Sequence, residues 1–184
     1  MKMTPARRLL SLLALGFAIA GGALLLAQSL PEAPDVDIEK LVTTKVGGPM
    51  PAWSLTTLDG RKIDSASLTG KVVVVDFWAT HCAPCVHELP HYADMQKKYA
   101  DQGLVIIGVS VDRRGADFVK KFVERYGVNY DIAMINEEIG DALIKEDTLP
   151  LPLTFLVDRQ GVVRHQKVGP MPMDEYEKLI QALL

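Results

Sequence analysis

The two cysteines of this 184-residue chain are its residues best suited to chemistry, and they lie three positions apart within WATHCAPCVHELP, residues 78–90. Cys82 and Cys85 at this spacing could form an inert disulfide, half of a metal site or a redox-active pair. An inert disulfide is the weakest alternative, because closing so small a loop constrains the unfolded chain little. Three of the four histidines lie in or directly after this stretch, at His81, His87 and His91.

These histidines make metal binding the main alternative to redox chemistry. His87 and His91 are four residues apart and share one face of a helix. Cys85 and His87 are two residues apart and point to nearly opposite sides of the helix. One ion therefore cannot easily bind both cysteines and all three histidines. We therefore predict a redox pair with no bound metal and no cofactor beyond the Cys82–Cys85 disulfide. A copper- or metal-binding protein that uses these cysteines and histidines is the alternative function.

The local sequence around the cysteines favours the redox pair. KVVVVDFWA, residues 71–79, is an apolar β-branched run typical of a strand covered on both faces. Apolar residues then recur at helical spacing from Cys82 to about Ala100, with Pro90 expected to kink the helix. Unpaired N–H groups and the dipole at a helix start stabilise a thiolate there, and Pro84 suits the first helical turn. We predict Cys82 as the nucleophile and Cys85 as the resolving thiol.

Two carboxylates are candidates for moving protons during this chemistry. Asp76 lies within the apolar strand, six residues before Cys82. Burial should raise its pKa and suit it to hold a proton near neutral pH, unless it is a solvent-facing residue at the strand end. Glu88 lies one turn after Cys85 on the same helix face, with an ordinary solvated glutamate as the alternative.

The remaining patterns predict a mixed α/β domain. Asp59-Gly60 is the turn signal of a hairpin within residues 50–70. Further predicted elements, in chain order, are a buried strand at 103–112, a helix at 116–127, a short strand at 130–135, a short helix at 138–145, two strands around a turn at 159–161, and a helix at 173–184. This order implies a central mixed sheet with helices on both faces.

The N-terminal residues are not part of that domain. Positive charges precede an uncharged run at residues 9–27, which is just long enough to span a bilayer. We predict an uncleaved inner-membrane anchor within residues 1–30, with a cleaved signal peptide as the alternative because Ala27 and Ser29 form a small-x-small pair. Residues 31–46 then form a tether and residues 47–184 the exported, periplasmic domain. The net charge of −3 argues against nucleic acid as a partner.

The segment VVVVDFWATHCAPCVHELP, residues 72–90, resembles the thioredoxin superfamily, and specifically its membrane-anchored periplasmic TlpA/ResA/DsbE-like branch. The resemblance extends from about residue 47 to residue 184 and includes VIIGVSVD and LPLPLTFLVDRQGVV. It implies a thioredoxin-like α/β fold with an N-terminal β-hairpin and a central insertion around residues 115–144. It also implies that the two cysteines cycle between dithiol and disulfide.

The same resemblance assigns further residues. Pro152 matches the family's cis-proline, with Pro150 as the local competitor, and Leu151 would offer backbone hydrogen bonds to a substrate strand. Glu88 falls on the family's characteristic active-site glutamate. The predicted catalytic set is Cys82, Cys85, Glu88 and Asp76, and the predicted substrate-binding set is Leu151, Pro152, Trp78, His81 and Pro84.

The chain departs from this branch at two positions. His81 replaces the tryptophan that commonly precedes the first cysteine, and a cationic imidazole there would stabilise the Cys82 thiolate. Asp76 stands where the branch often carries asparagine and ordinary thioredoxins carry aspartate.

The expected activity is reduction of specific protein disulfides, with an upstream membrane thiol donor to re-reduce the pair. The resemblance suggests apocytochrome c cysteines or the copper-site cysteines of respiratory proteins as substrates. A peroxidase of the same superfamily is a further alternative. Its Pro-x-x-x-Thr/Ser-x-x-Cys pattern is not provided by Thr80 and Cys82.

Overall fold

A computed structural model describes residues 36–146 and 148–184. The predicted anchor at residues 9–27 lies outside this part of the chain. Among the helices that the structure describes, none combines the length and the apolar composition that a membrane crossing requires.

Seven strands and five helices make up the described domain, with single 3-10 turns at Ser65–Leu68 and Ala100–Gln102. The strands are β1 (Ser54–Thr56), β2 (Lys62–Asp64), β3 (Val72–Trp78), β4 (Leu104–Ser110), β5 (Asp131–Met134), β6 (Leu153–Val157) and β7 (Val163–Val168). The helices are α1 (Ile38–Leu41), α2 (Ala83–Tyr99), α3 (Ala116–Arg125), α4 (Glu137–Leu143) and α5 (Met173–Gln181).

The central sheet has five strands in the order β5-β4-β3-β6-β7. β4 runs parallel to both β3 and β5, whereas β6 runs antiparallel to β3 and β7. The carboxyl ends of β3 and β4 therefore lie at the same edge of the sheet as the amino end of β6. The cysteines follow β3 at that edge, and Leu151 and Pro152 precede β6 there.

Both faces of the sheet are covered, as the apolar run of β3 predicts. All seven residues of β3 are buried. Val75, Phe77 and Phe155 belong to the cluster on one face, whereas Val74 and Leu156 belong to the cluster on the other. Burying a large apolar side chain contributes roughly 1.5–3 kcal/mol relative to leaving it exposed, so β3 anchors the fold and holds the residues that follow it.

The predicted hairpin forms from β1 and β2, which pair antiparallel in a separate two-stranded sheet. Gly60 in its turn has a φ of 86°, a conformation that favours glycine. Leu55 of β1 is buried in the core, and Thr57 forms a bridge with Ala133 of β5. The hairpin therefore packs against the central sheet. Within the predicted insertion at 115–144, the chain forms α3, β5 and α4.

The predicted tether at 31–46 needs correction where the structure describes it. α1 lies within this range, and Val42 is 1% exposed and bridges to Ile144. Thr43 N–H also donates to the carbonyl of Leu143 at 3.1 Å. The domain thus begins before Gly47, because the apolar side chain of Val42 is buried in the core and its backbone pairs with Ile144, a residue distant in the sequence.

Candidate active site

Cys82 lies at the N-cap of α2, directly after the loop that leaves β3, as the sequence predicts. Its Sγ is bonded to the Sγ of Cys85 and accepts a hydrogen bond from the Cys85 N–H at 3.3 Å. Pro84 stands in the first turn of the helix. Further along, α2 continues through Pro90 to Tyr99. The helix start therefore directs N–H groups at the Cys82 sulfur, which is the arrangement that stabilises a thiolate.

The two sulfurs differ in exposure. Cys85 is fully buried, whereas Cys82 is half-buried. A substrate can therefore approach Cys82 more readily than Cys85. This asymmetry agrees with the predicted order of attack, although the assignment of catalytic roles stays a prediction.

Asp76 lies near the middle of β3 and is 1% exposed. Burial and, to a lesser degree, the charge of Glu88 raise its pKa, a hydrogen bond from Thr154 lowers it, and the resulting pKa is about 8. Thr154 Oγ1 donates that bond to Asp76 Oδ1 at 3.1 Å. The carboxyl is thus neutral over most of the physiological pH range, and the solvent-facing alternative for Asp76 is wrong.

Glu88 is also buried, with 4% of its surface exposed, so it is not an ordinary solvated helix residue. Burial raises its pKa, a hydrogen bond from the backbone N–H of Met171 partly offsets this, and the resulting pKa is about 7. That bond reaches Glu88 Oε1 at 3.4 Å, while Oε2 is buried without a hydrogen-bond partner in the described structure. A carboxyl that titrates near pH 7 can both accept and donate a proton under physiological conditions.

Three tyrosines that the sequence analysis did not single out surround these carboxyls. Tyr92, Tyr130 and Tyr176 have phenol pKa values raised well above the ordinary value by burial, and the charges of Asp76 and Glu88 add to this. Tyr92 contacts both other rings edge-on, at centroid distances of 6.2 and 6.1 Å. The aromatic cluster keeps water from Asp76. Its members come from α2, α5 and the segment before β5, so no local pattern could identify it.

The Leu151–Pro152 peptide bond is cis, which confirms the assignment of Pro152 over Pro150. Leu153, the next residue, pairs with Phe77 of β3. The proline therefore lies beside the end of β3, from which the chain continues to Cys82. Leu151 and Cys82 both pack against the apolar cluster that contains Trp78 and Cys85. A role of this loop in binding substrate stays a prediction.

Direct contact between Trp78 and a substrate does not fit the structure, because Trp78 is fully buried. Its ring lies 6.1 Å from that of Phe122, between the sheet and α3. Gly108 of β4 leaves room for it: a Cβ there would lie 3.0 Å from Trp78 Nε1 and 2.5 Å from Ile132 Cδ1. Trp78 thus packs in the same apolar cluster as Cys85 and does not face a substrate.

His81 is exposed beside Cys82, and its Nδ1 lies 3.8 Å from Asp112 Oδ2. The Asp112 carboxylate thus faces both the imidazole and the loop that leads to Cys82. It also places a negative charge near the thiol, so the net effect of the pair on Cys82 is smaller than that of an isolated cationic histidine.

Asp112 is a residue of the site whose importance the sequence analysis missed. It is 4% exposed and follows β4, at the same sheet edge as the cysteines. Burial alone would raise its pKa, but hydrogen bonds from Thr80 and Arg114 outweigh burial and hold the pKa well below its usual range. The Thr80 N–H donates at 3.2 Å and Arg114 Nη2 at 2.9 Å. An acidic residue two positions after a buried parallel strand is the sequence signal that could have identified it.

The other two histidines of the cysteine region, His87 and His91, are exposed on α2, with ring centroids 5.5 Å apart. Within residues 36–146 and 148–184, no three His, Cys, Asp or Glu side chains are placed to share one metal ion.

Comparison with known proteins adds to this geometry. The profile of the AhpC/TSA family matches residues 46–166 of the chain. Thiol-disulfide oxidoreductase ResA of Bacillus thuringiensis (strain Al Hakam) is 32% identical over 148 residues, which cover 80% of this chain and 82% of the relative. ResA of Bacillus subtilis (strain 168) is 33% identical over 139 residues, which cover 73% and 75% respectively.

A solved structure agrees with the fold described above. The crystal structure of a thiol:disulfide interchange protein of the thioredoxin family from Chlorobium tepidum TLS superposes with a TM-score of 0.69 and 30% sequence identity. The match covers 77% of this chain and 99% of the other. The predicted thioredoxin-like fold, a mixed sheet flanked by helices, is confirmed.

Proposed function

The chain belongs to the AhpC/TSA family and is a thiol–disulfide oxidoreductase, and from this premise we propose that it reduces specific protein disulfides outside the cytoplasm. The observation that carries the proposal is the asymmetric pair at the start of α2. Cys82 is half-buried at the N-cap, and Cys85 is fully buried one turn behind it. Such a pair lets a substrate reach one sulfur while the second remains close enough to complete the exchange.

The proposed cycle transfers two electrons. The Cys82 thiolate attacks the substrate disulfide, forming a mixed disulfide and releasing one substrate thiolate, which takes up a proton. Cys85 then loses its proton and attacks Cys82 Sγ, which forms the Cys82–Cys85 bond and releases the second substrate thiolate. The substrate gains two electrons and two protons in total, and the protein ends as the disulfide described here.

Glu88 is the better placed of the two carboxyls to exchange protons with solvent. It lines a surface groove, and its pKa of about 7 allows it to accept the Cys85 proton and to return it. Asp76 is sealed from water and has a pKa of about 8, so it serves as a neutral neighbour that adds no charge beneath the thiols at neutral pH. The two carboxyls of the predicted catalytic set thus have different proposed roles: Glu88 carries protons, and Asp76 stays uncharged.

Insulin reduction tests the assignment as a disulfide reductase. With dithiothreitol as electron donor, the wild-type chain should accelerate insulin precipitation, whereas Cys82→Ser should not. Cys85→Ser should instead accumulate a mixed disulfide with a substrate, because the resolving thiol is missing. Equal activity of wild type and Cys82→Ser would refute the proposal.

We place the protein outside the cytoplasm, held by residues 9–27 at the inner membrane, with an upstream membrane thiol donor. Support comes from the sequence of these residues, an uncharged run preceded by positive charges. Fractionation of cells that express the full chain tests this placement: the protein should remain with the membranes after a high-salt wash. Recovery in the soluble extracytoplasmic fraction would instead support a cleaved signal peptide.

The candidate substrates are the Cys-x-x-Cys-His segments of apocytochromes c and the copper-site cysteines of respiratory proteins. The family resemblance suggests both. A peptide of each class, oxidised to its disulfide, should be reduced faster than insulin if it is the preferred substrate. The redox potential of the pair decides the direction: a value well below about −200 mV indicates a reductant, and one near −120 mV indicates an oxidant.

A further inference from the structure

A groove of about 750 Å³ runs along α2 on the side of Glu88 and is closed by the segment that leads into α5. Its α2 wall carries His87, His91 and Met95, and its opposite wall carries Met171 and Met173. The proposed disulfide chemistry uses none of these five side chains. Two imidazoles and three thioethers on one groove form a set of nitrogen and soft sulfur donors.

The two imidazoles are spaced as chelating ligands are. His87 and His91 lie one turn apart on α2, and their ring centroids are 5.5 Å apart. With metal–nitrogen distances near 2.0 Å, two imidazoles on one ion place their centroids roughly 5 to 5.5 Å apart at tetrahedral to trigonal angles. Both rings are exposed, so they can turn toward a shared ion without disturbing the core.

The methionine wall is held against the helix at both ends of the groove. Near the cysteines, Met171 N–H donates to Glu88 Oε1 at 3.4 Å. At the far end, Glu177 accepts hydrogen bonds from Lys98 at 2.8 Å and from the Tyr99 hydroxyl at 2.6 Å. These contacts keep the Met171–Met173 segment opposite the histidines.

The charge of the groove suits a cation. Glu88, Asp94, Asp174 and Glu177 line it, against the single ammonium group of Lys98. Lys98 is itself paired with Glu177. The lining therefore attracts positive ions, and no arginine or further lysine of the lining opposes them.

We propose that this groove binds one copper(I) ion through His87, His91 and a thioether of Met171 or Met173. Thioethers select copper(I) over the harder divalent ions, and imidazole binds copper well. Zinc fits the groove less well, because zinc sites are built from His, Cys, Asp or Glu ligands and the described part of the chain brings no three of these together. The inference goes beyond the proposed disulfide reduction, because the site does not use Cys82 or Cys85.

Copper(I) titration of the oxidised full chain tests this site separately from the redox pair. In the disulfide form the two sulfurs are bonded to each other and offer no thiolate, so binding to the cysteines does not interfere. The protein, in detergent and under nitrogen, competes for copper(I) with a chromophoric chelator. We expect one ion per chain for the wild type. Absence of stoichiometric binding would overturn the proposal.

Variants then test the ligands. The double variant His87→Ala, His91→Ala and the double variant Met171→Leu, Met173→Leu should each lower the copper(I) affinity at least tenfold. Met50→Leu, which lies outside the groove, serves as the matched control and should bind like the wild type. Unchanged affinity in either double variant would overturn the assignment.

X-ray absorption at the copper edge provides a second readout. Wild-type protein should show nitrogen and sulfur scatterers, and the methionine double variant should lose the sulfur contribution. Nitrogen scatterers alone in the wild type would refute the thioether ligand. The insulin assay of the double variant His87→Ala, His91→Ala, without copper, should match the wild type, since neither imidazole belongs to the redox machinery.

Discussion

Replacing Asp76 by asparagine should stabilise the protein at neutral and alkaline pH while leaving it nearly unchanged at acid pH. Asparagine is neutral, is almost the same size and can still accept the hydrogen bond from Thr154. The wild-type carboxyl is neutral in the folded protein up to a pKa of about 8, compared with 3.8 for an ordinary aspartate. The unfolded chain ionises the aspartate long before the folded protein does.

The sign and size of the effect follow from proton linkage. Between pH 4 and 8 the folded protein binds about one proton more at Asp76 than the unfolded chain, so the wild-type unfolding free energy falls as pH rises. One proton corresponds to roughly 1.4 kcal/mol per pH unit. The advantage of Asp76→Asn should therefore be near zero at pH 4 and reach roughly 4 kcal/mol at pH 7. Reorganisation around the ionised carboxylate would reduce this amount but not reverse its sign.

Urea denaturation of the disulfide form at pH 5, 6, 7 and 8 measures the slope without interference from thiol titration. In Asp76→Asn, the unfolding free energy should lack the part of the wild-type pH dependence that one proton accounts for, roughly 1.4 kcal/mol per pH unit. Asp101→Asn, at an exposed position after α2, is the matched control and should keep the wild-type slope. A wild-type slope in Asp76→Asn would show that the carboxyl is not held neutral by burial, and the reasoning on the buried site would be wrong.

Four further substitutions test other parts of the site. Glu88→Gln should lower the reduction rate at least about tenfold and remove an ionisation near pH 7 from its pH profile, measured by insulin reduction. His81→Ala should raise the pKa of the Cys82 thiol by only a few tenths, read by thiolate absorbance, because the imidazole is exposed and faces Asp112; no upward change would reject its role. Asp112→Asn should cost about 1–2 kcal/mol of unfolding free energy at pH 7 and slow insulin reduction, because the loop before Cys82 loses its charged anchor; unchanged stability would contradict this. Gly108→Ala should destabilise the fold by about 1–3 kcal/mol in urea denaturation, and wild-type stability would show that the packing there is loose.

The raised pKa values also have a consequence for function. Two buried carboxyls beneath the disulfide would repel a developing thiolate if both were ionised. Burial keeps Asp76 neutral and lets Glu88 titrate near pH 7, so these two carboxyls together add at most one negative charge to that of Asp112 near the Cys82 thiolate at neutral pH. Burial of the carboxyls thus limits the negative charge near the Cys82 thiolate. It also lowers the unfolding free energy at high pH.

Local patterns predicted the chemistry-bearing segment well. The apolar β-branched run of β3 and the helical spacing after it placed Cys82 at the start of a helix, and the structure has it at the N-cap. The hairpin turn at Asp59-Gly60 and the turn at 159–161 were also predicted, since glycine and aspartate mark tight turns over a few residues. These features depend on neighbours in the chain, which a sequence displays directly.

The errors arose where contacts distant in sequence decide the outcome. The sequence predicts a tether at Val42, because its pairing partner, Ile144, lies about a hundred residues away. The sequence predicts that Trp78 faces a substrate. Its ring is instead buried in the core, where Gly108 on β4 leaves room for it.

The sequence by itself determined the reactive pair and the secondary structure that presents it, because these follow from periodicity, turn residues and motif spacing. The thioredoxin-like fold followed from the resemblance of residues 72–90 to the thioredoxin superfamily. Only the tertiary structure decided which carboxyls are dry, which peptide bond is cis, and that Asp112 and Met171 approach the cysteine helix. These properties depend on strand order: β3 lies between a parallel and an antiparallel neighbour, which brings two strand ends and one strand start to a single edge. Burial and electrostatic coupling at that edge are sums over segments far apart in the chain.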